Sequence, residues 1–253
     1  MTSPDHATAA QLATAAGELL LQVRARPHPD ADARKAAGDG EAHRFLVGRL
    51  AQLRPDDAVL SEEGADDPVR LVSDRVWIVD PLDGTREFSE PGRADWAVHV
   101  ALWERGELVA GAVALPAAGL TLATDGGHRV PAAVDGPVRL AVSRSRPPSL
   151  VQALAGRLGA RLVPMGSAGA KAMSVVRGET DAYVHGGGQY EWDSAAPVAV
   201  ARAAGLHASR LDGSALRYNR PDPYLPDLLI CRPELADGML SALAEQAGEH
   251  QPG

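Results

Sequence analysis

Asp80 and Asp83 stand three residues apart at the end of an apolar run, in the stretch Trp77 to Thr85, WIVDPLDGT. Glu62, the first acid of LSEEG, follows the apolar triplet Ala58-Val59-Leu60, and Asp193 lies in EWDSAAP at the start of an expected helix. Carboxylates at strand ends and helix starts are rigidly held. Several of them brought together repel one another, and a hard divalent cation relieves that repulsion; all-oxygen ligation suits Mg²⁺. Pro81 fixes a backbone angle directly after Asp80, so the chain is expected to turn there and aim both carboxylates, with the Leu82 carbonyl between them, at one point. Gly84 permits a tight turn. The N–H groups of Gly84 and Thr85 are then free for phosphate oxygens, and the Thr85 hydroxyl can orient a water. This set suits metal-assisted attack of water on a phosphate.

Each residue alone also fits a plainer use. Asp-Gly is a turn signal, Asp80 fits a turn cap, Asp193 fits a helix N-cap, and a lone Glu62 fits a solvated loop. Their joint occurrence is what singles them out. The run EEGADD lacks the ligand spacing of an EF-hand. His185 and His207 show no metal-ligand spacing and read as structural, and Trp96 and Trp103 read as sheet core.

The elements that must position these acids come from a chain of 253 residues, enough for one large domain or two packed halves. Hydrophobic residues make up 45% and charged residues 23%, as in ordinary globular proteins. A net charge of −8 argues against a nucleic-acid polymer or a membrane surface as partner. Cys231 is the single cysteine, which rules out an intramolecular disulfide and suits a reducing compartment. The N-terminus lacks a basic segment before an apolar core, and no run reaches the ~18 apolar residues of a membrane span; a cytoplasmic location is expected.

Leu12, Ala16, Leu19, Leu20 and Val23 recur at helical spacing, which predicts a first helix. A polar loop is expected over 26–40, then a helix from Glu41 to Leu53 with Phe45, Leu46, Leu50 and Leu53 on one face. Strands are expected at 58–60, 76–79, 97–102, 108–115 and 117–124. The turn-rich segment DGGHRVPAAVDGP then marks a boundary. Beyond it strands at 140–142, 182–184 and 228–230 alternate with helices at 149–158, 168–176 and 193–204, before a C-terminal helix. We therefore expect an N-terminal α+β half over 1–135 carrying most of the acids and a C-terminal α/β half over 136–253 completing the site, with the ligand in the cleft between them.

The motifs WIVDPLDGTREF and EWDSAAPVAVARAAG resemble the two hallmark motifs of the inositol monophosphatase superfamily, across nearly the whole chain. Within it, WIVDPLDGTREFSEPGRADWAVHVALW, GSAGAKAM and ASRLDGSALRYNRPDPYLPD are most similar to the CysQ-type 3′(2′),5′-bisphosphate nucleotidases of actinobacteria. The resemblance implies a layered α-β-α-β-α sandwich, two or three Mg²⁺ ions, sensitivity to Li⁺, a small-molecule phosphate as substrate and a homodimer. The activity it implies is removal of the 3′-phosphate of 3′-phosphoadenosine 5′-phosphate, with inositol-1-phosphate or fructose-1,6-bisphosphate as alternative substrates. It assigns metal ligation to Glu62, Asp80, the Leu82 carbonyl, Asp83 and Asp193, and phosphate binding to the backbone of Gly84 and Thr85. It also implies an upstream acid that pairs with Thr85 to activate water together with Glu62. Asp39 stands 23 residues before Glu62, the expected separation, but in KAAGD, without the family's usual threonine; it also fits an N-cap of the Glu41 helix. Substrate contacts are assigned to Arg86, Ser167, Lys171 and Glu191, with Arg217 a further candidate for a second phosphate and Arg144 read as a surface charge. Tyr190 is a candidate stacking partner for a base.

Overall fold

The computed structural model describes residues 4–133, 135–145 and 147–249; the extreme ends of the two expected halves, 1–3 and 250–253, lie outside the described residues. Five layers stack in the order helix, sheet, helix, sheet, helix. Helix α1 (Pro4–Ala25) buries Leu12, Ala16, Leu20 and Val23, the stripe its periodicity predicts. With α2 (Ala31–Leu53) it covers one face of the first sheet. That sheet has the order β1 (Ala58–Ser61), β2 (Arg75–Asp83), β3 (Ala97–Glu104), β4 (Glu107–Leu115), β5 (Leu120–Ala123). The central layer is α5 (Ala168–Val176) and α6 (Glu191–Ala203), packed between the two sheets. The second sheet has the order β7 (Arg161–Met165), β6 (Arg139–Ser143), β8 (Ala182–Tyr190), β10 (Tyr224–Cys231), β9 (His207–Ser209). Its outer face is covered by α4 (Ser149–Leu158) and α7 (Ala236–Glu249).

Alternation explains the sheets. Trp77 and Val79 of β2 face α1 and α2, while Val76 and Ile78 face α5 and α6. Both faces of the first sheet are therefore apolar, and β2 reads as a continuous hydrophobic run.

Several expected boundaries are corrected. Residues 31–40 are helix, not loop: Asp30 caps α2, its carboxylate accepting the Ala33 N–H at 2.8 Å. Asp39 therefore lies inside α2 and caps nothing. The glycines of KAAGDGE obscure the helix in sequence because glycine is a poor helix former. Gly38 is there for space: a Cβ would lie 2.8 Å from both Leu82 and Phe88. Strand β2 runs on to Asp83 instead of turning at Pro81. Asp80 pairs with His99 and Asp83 with Ala97, so one extra residue bulges out of β2 between the acids. Helix α6 starts at Glu191, which makes Asp193 its third residue; Tyr190 is the N-cap. The expected strand at 117–124 is a short 3₁₀ turn followed by β5. Two short edge strands, β7 and β9, went unanticipated; β7 contains Pro164, tolerated because it is an edge.

A short helix α3 (Thr85–Ser89) follows β2 through Gly84, at φ +83°. A Cβ on Gly84 would meet Ser167 at 2.8 Å, so this turn is pressed against the start of α5. Trp96 is fully buried, edge-on to Phe88 at 5.1 Å, while Trp103 is half-buried. Gly38→Val should lower the unfolding free energy by about 1–3 kcal/mol by overpacking α2 against Leu82 and Phe88. Denaturant titration checks this, and an unchanged midpoint would contradict the packing described.

Candidate active site

The acids converge where β2 ends against the start of the central helices. Asp80 (1% exposed), Asp83 (8% exposed) and the half-buried Asp193 each offer a carboxylate oxygen within 4.8 Å of the others. The bulge between Asp80 and Asp83 gives them this common aim: without it, residues three apart on a strand point to opposite faces. Asp193 is fixed by helix geometry, its Oδ2 accepting the Tyr190 N–H at 2.7 Å. Glu62 stands in the turn after β1, outside that trio, and its charge bears on Asp80.

Protonation reports the crowding. Burial, then the charges of Glu62, Asp83 and Asp193, push the Asp80 carboxyl well above the usual carboxylate range. Asp193 rises to about 7, through burial and then Asp83. Glu62, although solvent reaches it, loses enough hydration and faces enough acids to rise to about 7. Asp83 goes the other way. Burial opposes its ionisation, but His99, the Gly169 N–H and Lys171 outweigh it and lower its pKa. Its oxygens accept the Ala168 N–H at 3.2 Å and the Gly169 N–H at 2.6 Å, at the start of α5, where the helix dipole favours an anion.

His99 is the residue the sequence reading missed. It is fully buried, Nδ1 contacts the Trp192 carbonyl at 3.0 Å, and Nε2 lies 3.2 Å from Asp83 Oδ2. Nothing near it in sequence marks it; only the pairing of β3 with β2, which sets His99 opposite Asp80, reveals it.

Asp39 does reach the site. From inside α2 its carboxyl comes up to the Thr85 side chain, and burial, then Glu63, raise its pKa to about 7. The Thr85 hydroxyl donates to the Leu82 carbonyl at 3.3 Å. The Gly84 and Thr85 N–H groups lie at the start of α3, whose first turn leaves its donors unpaired within the helix.

The residues expected to hold substrate are placed differently. Ser167 is the N-cap of α5, its Oγ accepting the Ala170 N–H at 2.9 Å. Lys171 is buried and donates to the carbonyls of Gly166 and Ser167, with Nζ 5.3 Å from the centre of the Tyr183 ring. Burial lowers its pKa while Asp83 and Glu87 raise it. It offsets the acids from behind. The Glu191 carboxylate accepts the N–H groups of Asn219 at 2.7 Å and Arg220 at 2.8 Å; it pins a loop. Arg86 is exposed and pairs with Glu90 at 3.1 Å. Arg144 is no free surface charge: it bridges Glu87 at 2.8 Å and Glu90 at 2.9 Å. His207 hydrogen-bonds Ser209 at 2.8 Å, and burial lowers the pKa of His185 to about 4, both away from the acids' cluster.

Buried carboxylates with too few compensating donors are the donor set a hard, oxygen-seeking cation requires, so the residues fit a divalent metal.

The model of the inositol monophosphatase family matches residues 2–249. The 3′-phosphoadenosine 5′-phosphate phosphatase of Mycobacterium tuberculosis is 57% identical over 239 residues, covering 91% of this chain and 90% of that protein. The 3′(2′),5′-bisphosphate nucleotidase CysQ of Escherichia coli K12 is 32% identical, covering 85% of this chain and 94% of that protein. The crystal structure of CysQ from Bacteroides thetaiotaomicron superposes with a TM-score of 0.77 at 27% identity, covering 90% of this chain and 97% of that one.

The raised carboxyls dictate how metal-free protein responds to pH. Ionising Asp39, Glu62 and Asp193 costs more in the folded than in the unfolded chain, so their penalty is absent near pH 4 and complete above about pH 7. Metal-free protein should melt at a higher temperature at pH 5.5 than at pH 8, and Mg²⁺ should raise the pH 8 value most. Below about pH 4 the gain should reverse: the unfolded chain then protonates Asp181, while in the folded protein Arg139 and Arg232, against burial, hold that carboxyl ionised down to about 2. A calorimetric series in chelator and in Mg²⁺ checks both signs.

Proposed function

The chain belongs to the inositol monophosphatase family, and from that premise we propose that it is a Mg²⁺-dependent phosphatase that removes the 3′-phosphate of 3′-phosphoadenosine 5′-phosphate, giving AMP and inorganic phosphate. The observation that carries this reading is the similarity to bisphosphate nucleotidases along nearly the whole chain. The buried acid cluster supports the metal-dependent chemistry.

In this reading Glu62, Asp80, the Leu82 carbonyl, Asp83 and Asp193 hold two or three Mg²⁺ ions. Bound there, the ions supply charge to offset the phosphoryl oxygens and lower the pKa of water. The protein's own part is positional. Asp39 lies next to Thr85, and a carboxyl near neutrality is suited to take the proton of an attacking water. Glu62 helps orient that water. The Gly84 and Thr85 N–H groups face the transferred phosphate as preorganised donors. Ser167 and Lys171 act through α5, whose start holds Asp83, rather than by touching substrate. No helix of the described residues is long and apolar enough to cross a membrane; we assign the enzyme to the cytoplasm and, by family likeness, to a homodimer.

Asp80→Asn should reduce kcat/KM by at least about 100-fold while raising the melting temperature of metal-free protein, because it removes a buried, repelled charge. A variant that keeps full activity would remove Asp80 from the metal site. Phosphate release from 3′-phosphoadenosine 5′-phosphate, inositol-1-phosphate and fructose-1,6-bisphosphate under the same Mg²⁺ tests the substrate. The nucleotide should show the highest kcat/KM; a higher value for either of the others would replace it, and binding without turnover would make the protein a nucleotide sensor.

A further inference from the structure

Asp39 and Glu62, the two acids assigned to the attacking water, stand on separate elements. Asp39 rides on α2, and Glu62 opens the turn after β1. Their negative charges oppose one another, and Glu63 adds to the repulsion. A contact between α2 and the turn has to hold them together.

Other partners of the turn leave α2 out. Ser61 pairs with Val79 in the β1–β2 ladder, and the Glu62 N–H donates to the Val79 carbonyl at 3.4 Å. Downstream, the Asp66 carboxylate accepts from the buried Arg70 guanidinium at 2.8 Å. Arg70 donates in turn to Asn219 Oδ1 and to the Arg220 carbonyl, each at 2.9 Å. These bonds fix the turn to β2 and to the C-terminal half, but they do not set its distance from Asp39.

His43 supplies that link. It lies four residues after Asp39 in α2, so the two side chains share one helix face, a turn apart. Its Nδ1 shares a hydrogen bond of 2.9 Å with the Ser61 hydroxyl. Ser61 is buried, ends β1 and directly precedes Glu62. The imidazole also rests on the turn itself: a Cβ on Gly64 would lie 3.3 Å from its Cε1, and the Gly64 N–H donates to the Ser61 carbonyl at 3.2 Å. Among the described residues, the His43–Ser61 bond is the one hydrogen bond between α2 and the 61–64 turn. Elsewhere such a bond would serve stability alone. Here it joins the residue one turn from Asp39 to the neighbour of Glu62.

We propose that His43 is a positioning residue: through Ser61 it sets the spacing between Asp39 and Glu62, so that Glu62 faces the metal while Asp39 faces the same water. This rests on the metal and water roles given above to Glu62 and Asp39.

Ser61→Ala and His43→Phe each remove the bond, the second keeping a ring on Gly64. Each should lower kcat about 10-fold and leave KM for 3′-phosphoadenosine 5′-phosphate within about twofold of wild type, because neither side chain touches substrate. The double variant should lose no more than either single one, since both delete the same interaction. His43→Asn, whose amide can stand where Nδ1 does, should recover most of the rate. Metal binding gives a second readout. The Mg²⁺ concentration that produces half of the rise in melting temperature should increase about 10-fold in both single variants and return towards wild type in His43→Asn. A role confined to stability would lower the melting temperature of metal-free protein and leave that concentration unchanged. The positioning role is overturned if the concentration stays within about twofold of wild type in both single variants, or if their losses in kcat multiply in the double variant. Should His43→Phe misfold, Ser61→Ala and His43→Asn carry the same comparison. If wild-type protein releases phosphate from none of the three substrates while Mg²⁺ still raises its melting temperature, the proposed function falls, and the Mg²⁺ concentrations still decide the role of His43.

Discussion

Mutual repulsion among carboxylates at the end of β2 is the constraint around which the rest of this molecule is arranged. Asp80, Asp83 and Asp193 crowd within 4.8 Å, with Glu62 beside them. Burying one unpaired charge costs several kcal/mol. The protein tolerates a cluster because it supplies partial compensation to some members and leaves others protonated. Asp83 is given two N–H groups from α5, with His99 and Lys171 nearby, and stays ionised. Asp80 is given little, and its pKa rises. That asymmetry leaves a site still short of positive charge, a setting that a hard cation fits.

The central helix layer follows from the same constraint. Both α5 and α6 begin at the cluster, and their first residues do different work. The start of α5 offers backbone donors to Asp83, and Gly169 is small enough to let His99 approach, since a Cβ there would lie 2.2 Å from Nε2. The start of α6 offers an acceptor in Asp193 and, two residues before it, the loop anchor Glu191. Lys171 would be an odd residue to bury in an ordinary core; here it sits behind the acids and on the face of Tyr183. The strand layers serve chiefly to hold these two helix starts against the β2 bulge.

Much of the architecture was legible from periodicity. The stripe of Leu12, Ala16, Leu20 and Val23 gave α1, and the spans of α4, which buries one apolar face, and of α5, which is buried on all sides, matched expectation. The failures share a cause. Residues 31–40 hide a helix because its glycines answer to packing against Leu82 and Phe88, not to helix propensity. Strands β7 and β9 are short, half-exposed edges whose pairing comes from neighbours distant in sequence. Asp39 was picked out by its distance from Glu62, yet its local setting was misread, and only the fold of α2 onto the β2 end brings it to Thr85.

By itself the sequence determined which residue types meet: acids after apolar strands, a proline and a glycine to shape the chain around them, and the helix that carries Asp193. These are properties of residues within a few positions of one another, and local chemistry suffices to read them. Tertiary structure alone decided how the charges balance. It set His99 opposite Asp80 through strand pairing, and gave Lys171 and Glu191, expected at the substrate, partners within the protein. It also tied the Arg220 backbone to Glu191 on one side and to Arg70 on the other. Whether a charged side chain is spent or available depends on partners far away in the chain, here across as many as 150 positions between Arg70 and Arg220, and no local pattern encodes that distance.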